Sequence, residues 1–251
     1  MKKAIIIPSY NAEKTLPSVI DRVPKEYWED GIAIIIHDCS PDRTGAVADE
    51  LAAKHPGKVL VEHHPVNRGY GGGLKTGFTR GLKEGAQIFG IVHADGQYAP
   101  EKLLDLMDPI LKGESQIVQG SRMVGGGARE GGMPMHRFVA NKVLTFIENF
   151  AFGTDLAEFH SGYMIYSEKL VRQVPYEKLQ NNYCIDAEMM ILAHILGYQI
   201  REIPIPTRYD DEISSLKPIP YGLNVLKMVG RYLSGHYKGL LIEHGSLPKG
   251  Q

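Results

Sequence analysis

Cysteine is scarce in this sequence. Only Cys39 and Cys184 occur in 251 residues, and no C-x-x-C pair is present. Neither a zinc knuckle nor a disulfide framework is indicated. Excess charge is missing as well. With 28 Lys and Arg against 29 Asp and Glu, the formal net charge is −1, which removes the electrostatic case for nucleic acid as a partner. No apolar run approaches the roughly 18 residues of a membrane-spanning helix. The first residues, MKKAIIIPSYN, begin like a signal peptide, but the apolar run Ala4–Ile7 stops at Pro8. That is too short for a signal h-region, and the segment reads as a first strand. Repeats and low-complexity tracts are absent from the sequence. The expected location is the cytoplasm, with membrane contact confined to a surface.

What is present is the 43% hydrophobic and 23% charged composition of a soluble globular chain. The length suits one large domain, or one domain with a helical appendage. Short apolar runs at Ala4–Ile7, Ile32–Ile36, Lys58–Glu62, Ile88–Val92 and Gln116–Gln119 read as strands. Helical patterns fall between them at Leu16–Val23, Thr44–Lys54, Gly72–Glu84 and Glu101–Leu111. This alternation predicts a mostly parallel α/β sheet with helices on both faces. Further on, helices are expected at His136–Phe152, Asn182–Leu196 and Gly222–Ile242. A loop is expected around Gly125–Gly127 and Gly131-Gly132, and an edge strand at Arg201–Pro206. Asp210–Pro220 reads as a proline-punctuated loop.

In such sheets ligands bind beyond the carboxyl ends of the strands. Those ends are polar here: Pro8-Ser9-Tyr10-Asn11, His37-Asp38-Cys39-Ser40 and His93-Ala94-Asp95-Gly96-Gln97. Asp38 and Asp95 suit a ribose, a base or a metal that holds a diphosphate; each alone could equally cap a following helix. The loop Asn67–Thr76 is rich in glycine, but Leu74 stands where both the P-loop and the G-x-G-x-x-G patterns need glycine. It reads as a turn that feeds tight helix packing. Arg122, Arg137, Lys142 and Arg208 are candidate phosphate-binding cations. Glu158, among apolar and small residues, is a candidate general base or sugar-hydroxyl acceptor. The histidines, including the pair His63-His64, read mostly as surface residues.

Seven segments in one order resemble glycosyltransferase family 2, the inverting GT-A enzymes, in the branch of dolichyl-phosphate mannose synthases and polyprenyl-phosphate glycosyltransferases. They are PSYNAE (8–13), HDCSPDRT (37–44), NRGYGGGLKTGF (67–78), HADGQYAPE (93–101), QGSRMVGGG (119–127), EFHSGYMIY (158–166) and REIPIPTRY (201–209). The resemblance implies a GT-A fold over residues 1–217, followed by a C-terminal amphipathic helical extension over 218–251. It implies that Pro8, Tyr10, Asn11 and Asp38 contact the nucleoside. His93, Ala94, Asp95 and Gln97 then stand at the family's Asp-x-Asp, with His93 in place of the first aspartate. Asp95, His93 and Gln97 are the implied ligands of Mg2+ or Mn2+. Arg122, Arg137 and Arg208 match positions that contact diphosphate or acceptor phosphate. Glu158 replaces an aspartate of the family's D-x-x-S-G-F-R, and Met164 replaces its arginine. The glycine-serine-lysine near the family's end is degraded to Ile213–Lys217.

The implied reaction moves a sugar from a UDP- or GDP-sugar to polyprenyl phosphate, with Asp95, Glu158 and Arg122 as its catalytic groups. A glycan or small-molecule hydroxyl acceptor, and a non-catalytic nucleotide-sugar-binding protein, stay open as alternatives. A nucleotidyltransferase would show a glycine-rich first loop where Pro8-Ser9-Tyr10-Asn11 stands. The expected partners are the donor, the lipid phosphate, a peripheral contact with the inner face of a membrane, and a second copy of the chain. Relatives of this branch often carry transmembrane helices after the catalytic domain. Here Leu223, Leu226, Val229, Leu233, Tyr237 and Leu240 form a stripe at helical spacing, with Lys227, Arg231 and Lys238 off it or at its border. Such a helix suits either the lipid interface or packing on the catalytic domain.

Overall fold

A computed structural model describes residues 1–206 and 218–248. Its seven described strands are β1 (Lys3–Ser9), β2 (Gly31–His37), β3 (Val59–His63), β4 (Ile88–Ile91), β5 (Ile117–Ser121), β6 (Met164–Ser167) and β7 (Arg201–Pro204). They form one sheet in the order β3-β2-β1-β4-β6-β5-β7. Every neighbouring pair is parallel except those of β6, which runs antiparallel to β4 and β5. The described helices are α1 (Leu16–Asp21), α2 (Thr44–Lys54), α3 (Gly69–Lys83), α4 (Leu103–Leu111), α5 (Gly127–Glu130), α6 (Met135–Phe152), α7 (Glu168–Gln173), α8 (Ile185–Ile195), α9 (Pro218–Leu233) and α10 (His236–His244).

Alternation along the central strands divides the core in two. Ala4, Ile6, Ile34 and Ile36 pack with Leu74 and Phe78 of α3 and with α7 to α10. Ile5, Ile7, Ala33 and Ile35 pack with α1, α2 and α4 on the other face. A strand covered on both sides needs apolar residues at every position, hence the unbroken runs Ala4–Ile7 and Ile32–Ile36. The glycines of α3 bring it close to the sheet. A Cβ at Gly77 would overlap the side chain of Ile6, and one at Gly81 would overlap the ring of Phe89. This is the tight packing that the glycine-rich loop predicts, although the helix begins at Gly69 rather than Gly72.

Four elements differ from the expectation, the first being α7, a six-residue helix that it lacks. Strand β6 is absent from it: four residues that follow Gly162-Tyr163 give too short a run to separate from a loop. The glycine-rich segment near 125 holds a short 3-10 turn (Val124–Gly126) and α5. The C-terminal helix is two helices. Gly235 takes φ +77° and ends the first at Leu233, a conformation that glycine adopts without a Cβ clash. The break also splits the proposed stripe: Val229, Tyr237 and Leu240 are buried, whereas Leu223, Leu226 and Leu233 are exposed. Val225, Met228 and Leu241 take the missing inner places, in the same core as α8 and the sheet. Arg201–Pro204 does lie at the sheet edge. The expected loop Asp210–Pro220 falls mostly outside the described residues, and its last three positions open α9.

Candidate active site

The carboxyl ends of β1, β2, β4 and β5 collect polar side chains along one edge. After β4 the chain turns sharply: the Gly96 amide donates to the His93 carbonyl at 3.3 Å, and Gly96 has φ +74°. Asp95 lies inside this turn and is exposed. Its Oδ1 accepts the Gln97 amide at 3.0 Å, a local bond that fixes the carboxylate at the mouth of the site.

His93 is enclosed by rings. Tyr98 meets it edge-on at 4.9 Å between centroids, and Tyr70 lies at 5.3 Å. Its Nε2 is 3.2 Å from the Tyr70 hydroxyl. Gly162 packs against the same edge of the ring, where a Cβ would stand 2.5 Å from Nε2. Burial lowers the pKa of His93 and prevails over the attraction of Asp95, with Arg122 pushing the same way. The ring is therefore neutral near pH 7, the form that ligates metals. Behind it, the Tyr70 hydroxyl donates to Asp186 Oδ2 at 2.8 Å, and Tyr166 donates to Asp186 Oδ1 at 3.1 Å. Burial pushes the Asp186 carboxyl up to about 7, against the two tyrosine hydrogen bonds.

Asp38 does cap a helix, but not the one next in sequence. Its Oδ1 accepts the Arg68 amide at 2.8 Å and faces His64 Nδ1 at 2.6 Å. Its Oδ2 accepts the Gly69 amide at 2.8 Å, at the first residue of α3. A carboxylate there satisfies orphan amides and the positive end of the helix dipole. His64 is thus buried, contrary to the surface reading; a charged partner 26 residues away gave no local signal. His63 is exposed, as expected. Nearby, Tyr10 is half exposed, Pro8 pairs with Ile36 in the sheet, and the Asn11 amide donates to Ser40 Oγ at 2.8 Å. Among the described residues, Asn11 and Cys39 are the non-glycine residues with positive φ, at 52° and 53°. Both stand at this edge, where strained backbone tends to mark a binding site.

Glu158 is fully buried and bound to Arg122. Its Oε2 accepts Arg122 Nη2 at 2.7 Å, Arg122 Nε at 3.2 Å and Asn141 Nδ2 at 3.2 Å, and its Oε1 accepts the Arg122 amide. Burial opposes its ionisation, but the Arg122 guanidinium prevails and holds the carboxyl below its usual range. Arg122 Nη2 also donates to the His160 carbonyl at 2.7 Å. His160 itself lies between Glu148 (3.1 Å) and the Tyr221 hydroxyl (2.8 Å), which ties α6 and α9 to this cluster. Arg137 is exposed one turn before Asn141, on the same face of α6. Arg208 and Ile213–Lys217 lie outside the described residues.

Among the described residues, no three His, Cys, Asp or Glu side chains converge as a metal cage. The edge offers one exposed carboxylate, one neutral imidazole and the Gln97 carboxamide. That set is too small for a resident structural ion, yet it fits a divalent cation whose other ligands are substrate phosphates and water. Sequence reasoning missed Tyr70 and Asp186. Asp186 and Glu188 in the otherwise apolar helix IDAEMMILAHI were the available signal, because buried carboxylates need partners.

The fold and its polar edge define a GT-A glycosyltransferase. The profile of Glycosyl transferase family 2 matches residues 4–174, and the chain belongs to that family. A polyprenol monophosphomannose synthase of Mycolicibacterium smegmatis is 32% identical over 80% of this chain and 75% of its own length. An undecaprenyl-phosphate mannosyltransferase of Micrococcus luteus is 30% identical over 82% of this chain and 83% of its own. Among solved structures, the Mycobacterium tuberculosis glucosyl-3-phosphoglycerate synthase bound to UDP has the same fold. It superposes with a TM-score of 0.63 at 20% identity, covering 99% of this chain and 82% of that one. The same enzyme with Mn2+ and UDP-glucose gives a TM-score of 0.62 at 18% identity, covering 93% and 78%.

Proposed function

We propose that this glycosyltransferase moves a sugar, with inversion, from a UDP- or GDP-sugar to the phosphate of a polyprenyl lipid at a membrane surface. The observation that carries the reading is an apolar face beside the site. Met135, Val139, Val143, Phe146 and Phe150 recur at three- and four-residue steps along α6 and are all exposed, Phe146 by 72% and Phe150 by 86%. Ile219, Leu223 and Leu226 of α9 are exposed too. Between the two helices runs a groove of about 910 Å3 lined by Met135, Val139, Val143 and Gly222. Contiguous exposed apolar surface of this kind marks an interaction site, and Arg137, Lys142 and Lys227 flank it with positive charge suited to anionic headgroups. No described helix is long and apolar enough to cross a membrane.

The locked Glu158 supports the same acceptor. A hydroxyl nucleophile needs a base to take its proton, and a carboxylate whose pKa is held down by Arg122 is a poor one. A lipid phosphate is already an anion and needs none. Glu158 instead holds Arg122 in place, so that the guanidinium stabilises negative charge on the leaving diphosphate or the attacking phosphate. Tyr10, Pro8 and Asn11 bound the nucleoside end, where Asp38 shapes the pocket by fixing the start of α3. Asp95, His93 and Gln97 would hold Mg2+ or Mn2+, which when bound neutralises the diphosphate. Ala94, buried between two of them, keeps the turn close to the sheet. The relatives named for polyprenol and undecaprenyl-phosphate mannosyl transfer are consistent with this acceptor class.

Flotation with liposomes containing anionic lipid tests the surface. The full chain is expected to float at low salt, and the double variant Phe146→Asp, Phe150→Asp to stay with the soluble fraction while keeping its thermal transition. A wild-type chain that never floats would remove the membrane reading.

A further inference from the structure

Behind His93 runs a chain of hydrogen bonds that no part of the proposed reaction has used. The Tyr70 hydroxyl has one proton, and Asp186 Oδ2 is the nearer acceptor, at 2.8 Å against 3.2 Å for His93 Nε2. Toward the imidazole the hydroxyl is therefore an acceptor, and the ring must present a proton on Nε2. A neutral imidazole carries one proton. Nδ1 is then the nitrogen with the lone pair. Asp186 is held in this role by Tyr166, which occupies its other oxygen at 3.1 Å, and the whole carboxyl group is buried at the foot of α8.

We propose that Tyr70 and Asp186 are positioning residues that fix the tautomer of His93, so that Nδ1 faces the nucleotide-bound metal with a lone pair. The inference rests on the reading of Asp95 and His93 as metal ligands and deepens it. In an Asp-x-Asp site a carboxylate ligates with either oxygen and has no tautomer to choose. A histidine in the first position has a wrong tautomer, with a proton on Nδ1 that excludes the metal. The replacement therefore requires a partner on Nε2, and the partner must itself be oriented. Metal-bound histidines commonly donate their second N–H to a carboxylate or carbonyl, and loss of that partner costs about 10–100-fold in metal affinity. Here the carboxylate acts through a phenol. Tyr98 packs edge-on against the ring, and Gly162 lies along its Nε2 edge, where its backbone is a second hydrogen-bond partner of the imidazole.

Two measurements at pH 8 test this. The first needs no metal: 15N NMR of histidine-labelled protein, with the His93 signal assigned by its loss in His93→Asn. The expected result is the Nε2–H tautomer in wild type and a shift toward the Nδ1–H form in Tyr70→Phe. The second is Mn2+ binding in the presence of UDP or GDP, read by electron paramagnetic resonance. Tyr70→Phe is expected to weaken it at least tenfold in the wild-type background and to have no further effect in His93→Asn. A merely structural tyrosine would weaken both backgrounds alike, and that result, or an Nδ1–H tautomer in wild type, overturns the inference. Failure of wild type to take up Mn2+ with either nucleotide overturns the metal-site reading itself, and the inference with it.

Discussion

Replacing Glu158 by glutamine separates a positioning carboxylate from a catalytic base. The carboxylate has no exposure, and the Arg122 side chain only 14%. Removal of one partner from a buried pair costs about 3–5 kcal/mol, because the other charge stays desolvated. Glutamine keeps one acceptor oxygen for the Arg122 amide but turns an N–H toward Arg122 Nη2 or Asn141 Nδ2, which are donors. With the water that reaches the guanidinium, a loss of about 3 kcal/mol is expected. In a chain of this size that lowers the melting temperature by roughly 6–12 °C. The pH dependence carries a sign. The folded pKa of Glu158 is depressed, so its contribution is complete above the unfolded carboxylate value of about 4.3 and is lost as pH falls through the lower folded value. Urea unfolding at pH 8, 6 and 4 measures it. The deficit of the variant should be constant between pH 8 and 6 and should begin to shrink only at the acid end. A deficit under about 0.5 kcal/mol at pH 8 and 6 would refute a buried pair, since that is the size of an exposed one.

Asp95→Ala should abolish transfer and leave the melting temperature within a degree or two, because the side chain is exposed and, among the described residues, bonds to its own turn; wild-type turnover in a donor-to-acceptor assay would remove it from the site. Asp186→Asn tests the opposite linkage. The raised folded pKa of Asp186, about 7, means that wild type loses stability as pH rises from the unfolded value near 4 through 7, by a few kcal/mol in order of magnitude. The variant should gain on wild type over that range in urea titrations, and parallel curves would contradict the burial argument. Gly77→Ala should cost about 1–3 kcal/mol through overpacking against Ile6; an unchanged unfolding midpoint would mean that α3 does not sit that close to β1.

Much of the fold was legible because its strands announce themselves locally. Ala4–Ile7 and Ile32–Ile36 are apolar on both faces, and only a strand covered by two helical layers uses such a run. Thr44–Lys54 was readable to the residue. Strand β6 was not, since its four residues take their identity from pairing with β4 and β5, a long-range fact. The split of the last helix was signalled by Gly235, but the stripe on either side of it suggested continuity. At the site, the strand-end residues could be read from sheet chemistry. What could not be read was what each side chain is bonded to: Asp38 with His64, Glu158 with Arg122, and His93 with Tyr70 and Asp186 are pairings across 23 to 116 residues, set by topology alone.

Transfer to a lipid phosphate is decided by analysis of the product. The purified chain is incubated with UDP- and GDP-sugars, Mn2+ and a polyprenyl phosphate in detergent or liposomes, and the lipid fraction is analysed by mass spectrometry. One hexose added per polyprenyl phosphate is expected, with release of the nucleoside diphosphate, and no product from the matching polyprenol. Sugar transferred to the free polyprenol or to a soluble hydroxyl acceptor, with the polyprenyl phosphate untouched, would contradict it.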